Sequence, residues 1–160
     1  MKNYKILIKT DQSFYPVIIG KNILINISSI LKKNKIFFQK CLIVYDSNVP
    51  QTALNILKQK LKNKNVFVYK IKSSEKVKNI NTVNKILNFT LKQKFHRTDL
   101  IISVGGGIIS DIAGFVSSIY KRGINFVNMP TTLLSQVDAS IGGKTGVNST
   151  YGKNLIGSFY

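Results

Sequence analysis

The chain is short of the groups from which most catalytic centres are built. Its 160 residues include one cysteine, one histidine and six carboxylates. A lone Cys41, beside the apolar run Leu42-Ile43-Val44, excludes a disulfide framework, fits a reducing cytoplasmic compartment and reads as a small core residue. A lone His96 near an expected helix end reads as solvated or capping. One His, one Cys and scattered acids do not supply the three protein ligands that a catalytic zinc needs, so no metal ligands are assigned. Ile6-Leu7-Ile8 is too short for the apolar region of a signal peptide. Residues 100–120 are apolar enough to suggest a membrane span. Asp111 near the centre would cost about 2.5–3.5 kcal/mol there, and three glycines interrupt the run, so strand, turn and helix are expected instead.

What is abundant is positive charge. The formal net charge is +18, yet of the 24 basic residues only Arg97 and Arg122 are arginines. They are scattered, without aromatic–Arg interleaving or a nucleic-acid motif, so a solvated surface is expected rather than a phosphate-binding face. Against this background the six acids stand out: Asp11, Asp46, Glu75, Asp99, Asp111 and Asp138.

Length and apolar content fit one globular domain covering residues 1–160. Residues 4–9 and 16–19 read as strands around a turn at 11–13. Residues 22–31 have helical apolar spacing, 42–45 a buried strand, 49–61 a helix and 66–71 a strand. Ser73 or Ser74 is expected to cap a helix running to about residue 95. Residues 100–104, 108–120 and 124–129 then read as strand, helix and strand. Such alternation, with uniformly apolar strands, predicts an α/β fold with a mostly parallel sheet flanked by helices.

Gly105-Gly106-Gly107 ends one of these strands and opens a helix. Free N–H groups and the helix dipole there welcome an anion such as pyrophosphate. A plain tight turn is the competing reading. Asp46 ends an earlier strand ahead of Ser47 and Asn48, where a carboxylate can accept from a ribose diol or close an Asx turn. Glu75 and Lys78 follow the next strand and read as a helix start. Residues 130–154 are too long and hydroxyl-rich for an ordinary connector. Lys144 and Lys153 are its only cations and Asp138 its only acid, as expected where charges meet a bound anion.

The order Met129-Pro130-Thr131-Thr132-Leu133-Leu134-Ser135-Gln136-Val137-Asp138, then Gly142-Gly143-Lys144-Thr145-Gly146-Val147-Asn148 and Gly152-Lys153-Asn154, resembles the 3-dehydroquinate synthase family. With Gly105 to Asp111 the likeness runs almost position by position to residue 160, and it stays collinear upstream. It implies a Rossmann-like NAD-binding N-terminal domain. It also implies an enzyme that uses NAD transiently to close a seven-carbon phosphorylated keto-sugar acid into a carbocycle with loss of phosphate. Carried onto this chain, NAD contacts fall on Asp46, Asn48, Glu75, Lys78, Gly106, Gly107, Ile108, Ile109, Ser110, Asp111, Thr131 and Thr132. Lys144 and Lys153 fall near both NAD and substrate, and Asp138 and Asn154 on the substrate side. Arg122 matches an arginine reaching the neighbouring subunit's substrate, which implies a homodimer. Two departures are visible. Ser73-Ser74 stand where the family usually has Asp-Gly, and Ser110, bulkier beside the expected pyrophosphate, stands where it has Gly. The resemblance also implies an all-helical C-terminal domain carrying a zinc or cobalt site, which these residues do not include. The expectation is therefore the N-terminal part of a synthase, with an inactive NAD-binding remnant or a related sugar-phosphate cyclase as alternatives.

Overall fold

A computed structural model describes residues 3–10 and 14–160. The turn expected at 11–13 lies outside them. Two strands, β1 (Tyr4–Lys9) and β2 (Phe14–Ile19), pair antiparallel, with Tyr4 opposite Ile19. The centre is a parallel sheet of β3 (Lys40–Asp46), β4 (Asn65–Ile71), β5 (Leu100–Gly105) and β6 (Asn125–Pro130), ordered β4-β3-β5-β6. Helices α1 (Ile27–Lys33), α2 (Gln51–Lys60), α3 (Ile80–Lys92) and α4 (Gly107–Ile119) cover it. A second antiparallel pair, β7 (Lys144–Ser149) and β8 (Gly152–Phe159), follows.

The two-residue period of the strands sorts their side chains onto opposite faces. Cys41, Ile43, Leu100, Ile102 and Val104 pack with Ile27, Leu31, Leu54 and Leu57 of α1 and α2. Leu42, Val44 and Ile101 pack with Val83 and Ile86 of α3 and with Ile109, Ile112 and Val116 of α4. Both faces are covered, which is why these strands lack a polar alternation. The expected α/β layering is observed.

α4 is buried almost all round, from Ile109 through Ser117 except Asp111. The sheet covers one side and β7 the other, where a Cβ added to Gly114 would lie 2.4 Å from Thr145 Cγ2. The membrane-like hydropathy of this stretch is thus a core helix between two layers. No helix among the described residues is long and apolar enough to cross a membrane.

Three expectations need correction. The helix expected over residues 22–31 begins only at Ile27, after turns that start at Asn22 in a left-handed conformation (φ 60°). The third helix is capped not by Ser73 or Ser74 but by Asn79, whose Oδ1 accepts from Thr82 N at 2.9 Å. Before it, a single 3-10 turn, Glu75–Val77, carries the chain to Lys78, whose ψ of 68° cannot continue a helix. Finally, residues 130–154 are more than a ligand loop: they form a π-helical turn, Ser135–Ala139, and most of the β7–β8 hairpin.

Candidate functional site

Strand order changes direction at β3. Its successor β4 lies on one side and β5 on the other, so the connections leave the carboxyl ends of β3 and β5 toward opposite faces. Such a switch point opens a crevice where ligands bind in doubly wound sheets. Here a cleft of about 400 Å³ lies at that place, lined by Asp46, Asn48, Ser73, Gly106, Gly107, Ile108, Thr131 and Thr132, with Val49 and Pro50. Seven of the residues expected to contact a dinucleotide are therefore brought together.

Each wall has a local cause. Asp46 is the last residue of β3, and its Oδ1 accepts from Asn48 N at 2.9 Å, so the Asx turn exists. Its Oδ2 has no hydrogen-bond partner among the described residues, so one oxygen shapes the turn and the other is available to a diol. Gly106 is the N-cap of α4, with extended backbone and no side chain to occupy the helix mouth. Its carbonyl accepts from Ile109 and Ser110, which leaves the N–H groups of Gly107 and Ile108 at the open helix end. A Cβ on Gly106 would meet Thr132 Cγ2 at 3.4 Å, so the threonine loop lies close over the helix start. Thr131 N donates to Gly105 O at 2.9 Å, tying that loop to the end of β5.

Five of the twelve expected NAD contacts do not line the cleft: Glu75, Lys78, Ile109, Ser110 and Asp111. Ile109 is fully buried in the core and Ser110 is 2% exposed, its hydroxyl donating to Asn128 Oδ1 at 2.8 Å. Its extra bulk points inward, away from the expected pyrophosphate. Asp111 belongs to a second cluster. Lys78, 6% exposed, forms a close ion pair with Asp111 and donates to Asn154 Oδ1 at 2.5 Å. Asn154 N donates to Asn148 Oδ1 at 2.9 Å, and Asn148 Nδ2 to Glu75 Oε2 at 2.8 Å. Burial pushes the Asp111 carboxyl above the usual aspartate value, Lys78 pulls it back, and the charges of Asp138 and Glu75 push in the same direction as burial.

Lys144, Lys153, Asp138 and Arg122 are exposed, and none of their side chains has a hydrogen bond or ion pair among the described residues. Arg122 sits in a strained corner, with φ of 49° at Lys121, 62° at Arg122 and 117° at Gly123. Two adjacent non-glycine residues in the left-handed region are uncommon. They are held by Lys121 Nζ, which donates to Phe95 O at 2.8 Å, and by Gly123 O, which accepts from Arg97 Nε.

Sequence reasoning missed Asn148, which joins Glu75 to Asn154, and Ser73, whose buried Oγ has no partner among the described residues. Neither carries a local signal. The sequence assigns no site role to Asp99. It is 1% exposed, and its carboxylate accepts from the backbone N–H groups of Gln39, Lys40 and His96, clamping two loops at the far end of the sheet. Among the described residues no group of His, Cys, Asp and Glu could hold a metal ion.

The donor set of the cleft fits a dinucleotide: an available carboxylate for a diol, an uncovered helix N-terminus for a diphosphate and neutral hydroxyls around both. Residues 68–160 match the family described as 3-dehydroquinate synthase N-terminal. The chain is 51% identical over 156 residues to 3-dehydroquinate synthase of Pelagibacter ubique (strain HTCC1062), covering 98% of this chain and 42% of that protein. It thus spans less than half the length of that relative. Among solved structures it is similar to 2-deoxy-scyllo-inosose synthase complexed with carbaglucose-6-phosphate, NAD+ and Co2+ (TM-score 0.88, 26% identity, 98% of this chain and 43% of that one). It is also similar to 2-epi-5-epi-valiolone synthase from Streptomyces hygroscopicus with NAD+ and Zn2+ bound (TM-score 0.68, 31% identity, 77% of this chain and 35% of that one).

Proposed function

The chain belongs to the 3-dehydroquinate synthase family, and from that premise we propose that the protein carrying it is an NAD-dependent 3-dehydroquinate synthase. The reaction is the conversion of 3-deoxy-D-arabino-heptulosonate 7-phosphate to 3-dehydroquinate with release of phosphate, a carbon–oxygen lyase step toward aromatic amino acids. We place it in the cytoplasm, as a homodimer in which Arg122 reaches the neighbouring subunit's substrate.

The observation that carries this reading is the cleft at the switch point, with Asp46 on one side, the open start of α4 on the other and the threonine pair across them. NAD, when bound, supplies a reversible hydride acceptor for one ring hydroxyl of the substrate. Asp46 would hold a ribose through its free Oδ2, with Asn48 beside it. The N–H groups of Gly107 and Ile108 would hold the diphosphate, and Thr131 and Thr132 would close the site without adding charge. Lys78 is kept in one orientation by Asp111 and Asn154, so it offers the adjoining site a fixed cation. Lys144, Lys153 and Arg122 are uncommitted cations suited to a substrate bearing both phosphate and carboxylate, Arg122 through two donors at once. Asp138 and Asn154 would face the substrate hydroxyls. Zinc or cobalt belongs to this proposal through the family, but no described residues fit it, so no step is assigned to it.

The test is phosphate release by the full-length protein supplied with NAD, a divalent metal and the seven-carbon substrate. Release only from a hexose 6-phosphate would move the protein to a related cyclase, a reading motivated by the likeness to 2-deoxy-scyllo-inosose synthase complexed with carbaglucose-6-phosphate. NAD binding without release from either substrate would mark an inactive remnant.

A further inference from the structure

Beneath the cleft runs a chain of side-chain hydrogen bonds that involves few of the residues assigned above. Its centre is Asn128 in β6. The Oδ1 of Asn128 accepts from Ser103 Oγ in β5 at 2.5 Å and from Ser110 Oγ in the first turn of α4 at 2.8 Å. Both lone pairs of the amide oxygen are thereby used. On its other side Asn128 Nδ2 donates to Ser140 Oγ at 3.1 Å, and Ser140 Oγ donates to Ser135 O at 2.6 Å. Ser135, 1% exposed, then closes on the cleft: its Oγ donates to Thr132 O at 2.9 Å and accepts from Thr132 Oγ1 at 2.8 Å.

The segment this chain reaches needs support. Residues 131–141 expose Leu133, Leu134 and Val137 by 76%, 71% and 63%, so they bury little apolar surface. Among the described residues only two of the segment's hydrogen bonds reach the sheet, Thr131 N to Gly105 O and Asn128 Nδ2 to Ser140 Oγ. The other bonds of residues 131–141 close within the segment.

We infer that Asn128 is a positioning residue for the cleft, holding Thr132 over Gly106 through Ser140 and Ser135 while steadying the start of α4 through Ser110. This rests on the reading of the cleft as the NAD site. One amide thus sets the two facing walls relative to each other, although it does not line the cleft.

The experiment uses the full-length enzyme and compares Asn128→Ala, Thr132→Ala and the double variant. In Asn128→Ala, amide exchange at residues 131–136 accelerates while α2 keeps its protection. The Kd for NAD rises about tenfold, which is the effect of one lost, well-placed hydrogen bond. In the Thr132→Ala background the same change adds clearly less, because the route through Ser140 and Ser135 is already cut and only the tie to α4 through Ser110 remains. An equal rise in Kd in both backgrounds, or exchange accelerating uniformly across the domain, overturns the inference. Should Asn128→Ala not fold, Ser140→Ala cuts the same tie with Ser103 and Ser110 still paired, and the same pattern is expected. If the wild-type enzyme binds no NAD, the cofactor reading falls, and the exchange pattern still decides whether Asn128 positions the loop.

Discussion

The cleft at the ends of β3 and β5 and the cluster around Lys78 use similar residues but are assembled in different ways. The cleft consists of strand ends and a helix start, built largely on short-range bonds such as Asn48 N to Asp46 Oδ1, with Thr131 N to Gly105 O joining its threonine loop to β5. The cluster is a buried cation whose partners lie 33 and 76 positions away, Asp111 and Asn154. The first is an open cleft. The second locks the β7–β8 hairpin to the start of α4. A ligand site of this kind can lose binding without unfolding, whereas the cluster cannot lose its centre without cost to both.

The sharpest break in that contrast is Lys78→Ala. Removing one partner of a buried pair leaves Asp111 uncompensated, so a loss of about 3 kcal/mol in urea unfolding is expected, together with loss of turnover. A midpoint matching wild type would show that the cluster is not structural. Next comes Lys144→Ala in the full-length enzyme. Turnover should vanish while stability stays within about 0.5 kcal/mol, since the side chain is exposed; full activity would remove Lys144 from the site. Asp46→Ala should behave as a cleft residue, weakening NAD binding at least tenfold in calorimetry with about 1 kcal/mol of stability lost from its turn.

A subtler probe is pH. The folded-state pKa of Asp111 is raised above 3.8, first by burial. Its protonated form therefore contributes stability that is fully present below 3.8 and lost as pH rises through the folded value. The stability difference between wild type and Asp111→Asn should accordingly fall over that rise. A growing difference would mean that Lys78 outweighs burial. The smallest effect is expected from Ser73→Ala, which removes a buried hydroxyl without a partner and should raise the melting temperature by a degree or two.

Legibility followed the range of the forces involved. The β-α alternation, the Asp46 turn and the glycine-led start of α4 were readable because each depends on side-chain period or on a bond a few residues long. Four expectations failed or fell short where distant groups decide. Ser110 was expected beside a ligand but is turned inward by Asn128. Ile109 is claimed by the core. The capping role expected of Ser73 or Ser74 went to Asn79, because the chain first has to deliver Lys78 to Asp111. The hairpin hidden in residues 144–159 has no clean apolar alternation, since it meets α4 through Thr145 against Gly114 and through Ser158, whose Oγ donates to Ser118 Oγ, with Val147 as its buried apolar residue.

By itself the sequence determined the layer architecture, the place of the cleft and the family, because periodicity and a long ordered motif are properties of the chain read in line. Only the tertiary structure decided which expected residues share a wall, which are buried and which remain free. Those outcomes depend on desolvation and on hydrogen bonds between residues far apart in the chain, such as Lys78 with Asn154 and Asn128 with Ser140. No local pattern carries that information.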